Sequence, residues 1–284
     1  MTEVGQTDIR GENISRIVKT LAESEFKFKD ILMTTGSSNW TETYYREDPS
    51  ELENEGSFEV AGVPRGGTFP NLDATWTSVS TTQIKFAGES TIFMEDKLTD
   101  AIDVQARTIR KVARAIASRF DQYVYESLSG ASGINTAASV APWDAALSAT
   151  RDPIRDLLTG IQYMAVDNYD FLKNGYILLS PYDYTSLLMN SKVINNPSFK
   201  TADVVSNGVV GQIAGGKIIV SPGVEDDECL MVIGKQAATY KSAVAMSSAI
   251  IEDAGIKYTI RSWMIGHVEV TDPEAIHKIT NTQE

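Results

Sequence analysis

The 284-residue chain has one cysteine, Cys229, and only two histidines, His267 and His277. A lone cysteine excludes an intramolecular disulfide and a cysteine-built zinc site, and it suits synthesis in a reducing compartment. No stretch approaches the roughly 20 apolar residues that a bilayer crossing needs. Met1 to Lys19 contains no signal-peptide core, so the chain reads as a soluble, cytosolically made protein with no membrane partner. Basic residues are also short, 25 Lys and Arg against 38 Asp and Glu for a net charge of −13. Coating the whole surface with nucleic acid requires the opposite balance, so any contact with phosphates is local. With 42% hydrophobic and 22% charged residues, disorder and collagen-like repetition are excluded too.

Catalytic chemistry is equally scarce. Gly211 to Lys217 copies the opening of a phosphate-binding loop, but Ile218 stands where Ser or Thr would hold magnesium, and Lys217 starts an apolar strand rather than a helix. Ser132 lacks the G-x-S-x-G spacing of a nucleophile elbow. The two histidines fit no metal-ligand spacing and read as surface or packing residues, and Cys229 reads as a buried, inert thiol. The expectation is a protein that is not an enzyme, with no cofactor and no metal.

What is present is a sequence of extended parts. Ile14, Ile17, Val18 and Leu21 share one face of a short helix that is marginal alone, so this arm needs something to dock on. Between Glu42 and Glu59, seven acids (Glu42, Glu47, Asp48, Glu51, Glu53, Glu55, Glu59) oppose only Arg46. The turn signal Val63-Pro64-Arg65-Gly66-Gly67 is followed by the Thr- and Ser-rich stretch Ala74 to Phe86, which predicts two long strands around a turn. Trp76, Ile84 and Phe86 alternate on one face, too few to form a core of their own.

From about Asp96 to Leu128, Leu98, Ile102, Ile109, Val112, Ile116, Phe120, Tyr123 and Val124 recur at helical spacing, and Gly130 supplies the stop. The result is one amphipathic helix about 45 Å long, with Arg107, Arg110, Lys111, Arg114 and Arg119 on its polar face. After Gly130 the pattern alternates between helix and strand. Asp152-Pro153 and Ser180-Pro181 are helix starts, Tyr176 to Ser180, Lys217 to Ser221 and Cys229 to Ile233 are strands, and Asn195 to Gly208 is a loop. Ile256 to Val270 reads as a long strand, or a hairpin turning near Gly266.

This order of parts resembles the Hong Kong 97-like major capsid proteins of tailed bacterial and archaeal viruses. Strand-Ser-Pro-helix in Ile177 to Leu188, glycine-turn-strand-Ser-Pro in Val210 to Pro222, and the ending Ile256 to Ile279 carry the likeness. It implies an α+β fold with an N-terminal arm (1–41), an excursion or E-loop (42–94), a peripheral domain with a spine helix (95–130), an axial domain (131–238) and peripheral strands with a C-terminal return (239–284). It further implies self-assembly, as pentamers and hexamers, into an icosahedral virion capsid made in the host cytoplasm around double-stranded DNA. That genome would be contacted non-specifically, and scaffolding, portal and decoration proteins would be partners.

The candidate inter-subunit contacts are Ile14, Ile17, Val18, Leu21, Glu47, Glu51, Glu53, Glu55, Arg65, Phe69, Trp76, Phe86, Arg107, Arg110 and Arg114. No lysine lies between Asp30 and Ile84, so covalent crosslinking through an E-loop lysine is not expected. No long helical extension precedes the arm, so assembly would use a separate scaffolding protein or none. An encapsulin-type compartment shell is the alternative within the fold, and an α/β enzyme the alternative outside it.

Overall fold

The computed structural model describes residues 11–47, 63–68, 76–99, 104–146, 150–190, 193 and 211–284. Helix α1 (Gly11–Glu25) leads through a 3-10 turn at Lys29–Ile31 to strands β1 (Met33–Gly36), β2 (Thr41–Glu47), β3 (Trp76–Thr82) and β4 (Ile84–Phe93). Helices α2 (Met94–Thr99) and α3 (Val104–Ser129) follow. Together they cover the predicted helical span of 96–128 apart from 100–103, which lie outside the described residues. Ile109, Val112, Ile116, Phe120, Val124 and Leu128 of α3 are all buried, which is the three-and-four spacing of an apolar stripe made physical. Leu98, expected in that stripe, sits on α2 and is 75% exposed. The Gly130 N–H bonds Glu126 O and closes α3 at the predicted stop.

The α/β region comprises β5 (Asn135–Ala138), α4 (Pro153–Val166), α5 (Phe171–Asn174), β6 (Gly175–Leu179), α6 (Pro181–Met189), β7 (Gln212–Ile213), β8 (Gly216–Val220) and β9 (Glu228–Ile233). Strands β10 (Ala238–Asp253), β11 (Lys257–Val270) and β12 (Ile276–Thr280) complete the chain. Both predicted caps form: the Asp152 side chain accepts from Arg155 N, and the Ser180 hydroxyl from Asp183 N, each followed by proline in the first turn. A six-stranded sheet of order β5-β12-β9-β6-β8-β7 buries Ile177, Leu178, Leu179, Cys229, Leu230, Met231 and Val232 completely. The phosphate-loop lookalike is the β7–β8 hairpin turn. Ala214 and Gly215 both have positive φ (50° and 84°), as a two-residue type I′ turn demands.

A second sheet, of order β1-β10-β11-β4, lies against α3. Strand β10 has 16 residues, on the order of 50 Å of extended chain, and it bends at two register shifts between Ser242 and Ser247. Strand β11 runs unbroken through Gly266, so no hairpin turns there. The glycine is needed because the Tyr240 ring occupies the space that a Cβ would take. Phe120 of α3 joins the parts: its ring meets Phe26 at 5.1 Å, Phe86 of β4 at 5.7 Å and Tyr240 of β10 at 5.0 Å, all edge to face.

Candidate assembly surfaces

Strands β2 and β3 form a two-stranded antiparallel ribbon, in register from Thr41 opposite Thr82 to Glu47 opposite Trp76. One face carries Thr41, Thr43, Tyr45, Trp76, Ser78, Ser80 and Thr82, all exposed. Tyr45 and Trp76, diagonal neighbours on it, are 63% and 61% exposed. The other face, with Glu42, Tyr44, Arg46, Val79 and Thr81, is half-buried. Cross-strand pairs of Thr, Ser and Tyr favour this geometry, yet such a ribbon is marginal in isolation.

At Gln83, whose N–H bonds Trp40 O at 2.9 Å, the chain leaves the ribbon and enters the four-stranded sheet. Trp76 therefore does not share a face with Ile84 and Phe86. Phe86 points into the core against α3 and is 6% exposed, so it is removed from the exposed contact set. Arg65 lies exposed in a turn closed by Gly67 N to Pro64 O, with Gly66 at φ +81° supplying the type II position. Glu51, Glu53, Glu55 and Phe69, the side chains of Ile14 and Glu47, and the 195–208 loop lie outside the described residues.

The arm helix finds its complement inside the chain. Val18 and Ala22 are fully buried against Ile109 and Ala113 of α3, Ile92 of β4 and Ile260 of β11, with Leu21 half-buried beside them. Val18 is thereby corrected from an inter-subunit contact to an internal one, while Ile17 stays 46% exposed. The basic face of α3 is exposed as expected, but Arg114 bonds Glu25 of α1 at 2.7 Å and Arg119 bonds Glu126 at 3.2 Å. These solvent-exposed pairs contribute at most about 1 kcal/mol each. Arg107, Arg110 and Lys111 extend the positive stripe beyond them.

A family model described as phage capsid protein matches residues 76–279. The chain belongs to the phage capsid protein family. The Cyanophage P-SCSP1u capsid structure is similar to it at 13% identity and TM-score 0.68, over 100% of this chain and 92% of that one. Mycobacterium phage Che8 is similar at 14% identity and TM-score 0.63, over 100% and 95%. A virus-like particle from Pyrococcus furiosus is similar at 12% identity and TM-score 0.65, over 94% and 98%. No curated protein matches the sequence. The α+β architecture is that of the Hong Kong 97-like capsid fold, and the chain is a structural major capsid protein of the virion shell. The family match favours this over the compartment-shell alternative.

The cysteine and both histidines of the capsid chain are internal. Cys229 is fully buried, and burial together with the Asp183 and Asp156 carboxylates pushes its thiol well up, which makes it inert. His277 is buried under α4, stacked on Tyr163 with centroids 5.6 Å apart, with neither ring nitrogen hydrogen-bonded. His267 is also buried and lies 2.9 Å from the Glu269 carboxylate, not on the surface. The exposed aromatics Tyr45 of the capsid ribbon and Trp40 just before it were not singled out by sequence, although Tyr45 alternates with the strand's polar residues as Trp76 does.

Proposed function

We propose that this capsid protein self-associates into pentamers and hexamers that close an icosahedral shell around a double-stranded DNA genome. Assembly takes place in the host cytoplasm, the role is non-enzymatic, and scaffolding, portal and decoration proteins are partners. The observation that carries this reading is the exposed ribbon face with Tyr45 and Trp76, which no described part of the chain covers. A second copy supplies the cover. At roughly 25 cal/mol per Å² of apolar area, a contact of about 1,600 Å² is stabilising even after the entropy of association is subtracted. Family membership supports the structural role, and one similar structure is described as phage G major capsid and decoration proteins.

The acidic stretch from Glu47 to Glu59 is the complement of the Arg107–Arg110 stripe on a neighbouring copy, and the same stripe is available to phosphates of the genome without base reading. Size-exclusion chromatography followed by electron microscopy of the purified chain tests the proposal. Capsomers or megadalton shells are expected, with nucleic acid in particles recovered from infected cells. A stable monomer at high concentration would end it.

A further inference from the structure

Strand β11 is paired with β4 only as far as Gly266, opposite Ile84, because the chain turns away into the ribbon at Gln83. The next residues of β11 are covered by the base of the ribbon instead. His267 and Glu269, two apart and therefore on one side of the strand, are 0% and 2% exposed. Glu42 reaches them from the half-buried face of β2. One ligand atom from each of Glu42, His267 and Glu269 lies within 4.8 Å of the others.

The surroundings do not neutralise this cluster well. Lys241 of β10 approaches Glu269 only to 4.0 Å, with its side chain 28% exposed, and Arg46 and Tyr44 stand nearby on β2. His267 Nε2 bonds Glu269 Oε1 at 2.9 Å, whereas its Nδ1 is buried with no hydrogen-bond partner, so one ring nitrogen is left without a contact. Glu42 Oε1 accepts from the Ser37 hydroxyl, which also accepts from Gln83 Nε2 at 3.1 Å. The Gln83 Oε1 atom is itself buried and unbonded. Two carboxylates brought together around an imidazole, one of them buried, are costly unless a positive charge is added.

We propose that Glu42, His267 and Glu269 bind a divalent first-row transition metal of the zinc class, which clasps the base of the β2–β3 ribbon to β11. One imidazole nitrogen with two carboxylate oxygens is a borderline donor set suited to such a cation, and the nitrogen disfavours magnesium and calcium, which prefer oxygen throughout. Metal–ligand distances of about 2.0–2.2 Å require only a small closing of the three side chains. Because one ligand comes from the ribbon and two from the sheet, occupancy fixes the angle at which the ribbon leaves the body. The sequence gives no sign of this, since the ligands come from strands far apart in the chain.

The test uses the full, unassembled chain and zinc ion, followed by calorimetric titration, thermal unfolding and hydrogen exchange. Saturable binding of one zinc per chain, a higher melting temperature and slower exchange in 41–47 and 76–82 are expected, with exchange in α4 unchanged. Glu42→Gln, on a half-exposed strand, is expected to fold normally and to lose affinity by at least the roughly 10–100-fold that removing even an outer-shell partner costs, whereas Glu89→Gln, which removes a surface partner of Arg261, keeps it. Absence of saturable binding, wild-type affinity in Glu42→Gln, or binding that leaves ribbon exchange unchanged would overturn the proposal. None of these readouts depends on whether a shell forms.

Discussion

The carboxylate of Asp121, in the middle of α3, accepts the backbone N–H of Phe28 at 3.2 Å. It also accepts the Lys27 N–H, at 3.1 Å to its other oxygen. This tie anchors the start of the 3-10 turn to the spine helix at the point where the arm meets the sheet. Asp121 is only 3% exposed, and burial pushes its carboxyl up from 3.8 to about 6, against the pull of the two N–H groups.

Asp183 is likewise raised to about 6 by burial, opposed by hydrogen bonds from Gln283 and Ser180. Between about pH 4 and 6 the folded chain then holds more protons at these two sites than the unfolded chain does, so their contribution to stability rises as pH falls through that window. His277 acts in the opposite direction: burial lowers it from 6.5 to about 4, so between those values only the unfolded state is protonated and stability falls with pH. Melting temperatures of Asp121→Asn should lack part of the acid-side gain, and those of His277→Leu part of the loss. Curves parallel to wild type across this range would disprove both assignments.

Phe120 is the joint between arm, spine helix and sheet. Its replacement by alanine removes three edge-to-face contacts at once and leaves a cavity. Phe120→Ala should cost about 3–5 kcal/mol in denaturant unfolding. A loss below about 1 kcal/mol would mean that the three elements are held together elsewhere.

Tyr45 and Trp76 are exposed and separate stability from assembly. The double variant Tyr45→Ser, Trp76→Ser should unfold within about 0.5 kcal/mol of wild type, while the yield of particles in electron micrographs falls several-fold. Normal particle yield would show that the ribbon's outer face is not an inter-subunit surface.

Reversal of Glu51, Glu53 and Glu55 to lysine places positive charge where the Arg107–Arg110 stripe of a neighbour is proposed to dock. Assembly should weaken most at low salt and recover toward wild type as the Debye length shrinks below about 10 Å near 0.1 M. Light scattering across a salt series measures this. A salt-independent defect, or none, would count against the ionic contact.

Much of the local structure was legible in the residues. Asp152-Pro153 and Ser180-Pro181 become helix starts because their side-chain oxygens reach amides within the same turn, and that chemistry is complete within four residues. The stripe from Ile109 to Leu128 and the strands around Ile177 and Leu230 follow from periodicity and apolar runs alone. The residues around Gln83, by contrast, do not reveal that β3 and β4 belong to different sheets, since an extended chain runs through both on either side of it.

Sequence by itself determined which segments are helix, strand and turn, how they are ordered, and hence the resemblance to capsid proteins, because these depend on neighbours a few bonds away. Tertiary structure decided that Val18 and Phe86 face inward, that Gly266 lies under Tyr240, and that Glu42 meets His267 and Glu269. Those outcomes depend on which distant surfaces bury the most apolar area against one another, a property of the whole packed chain that no local pattern of residues carries.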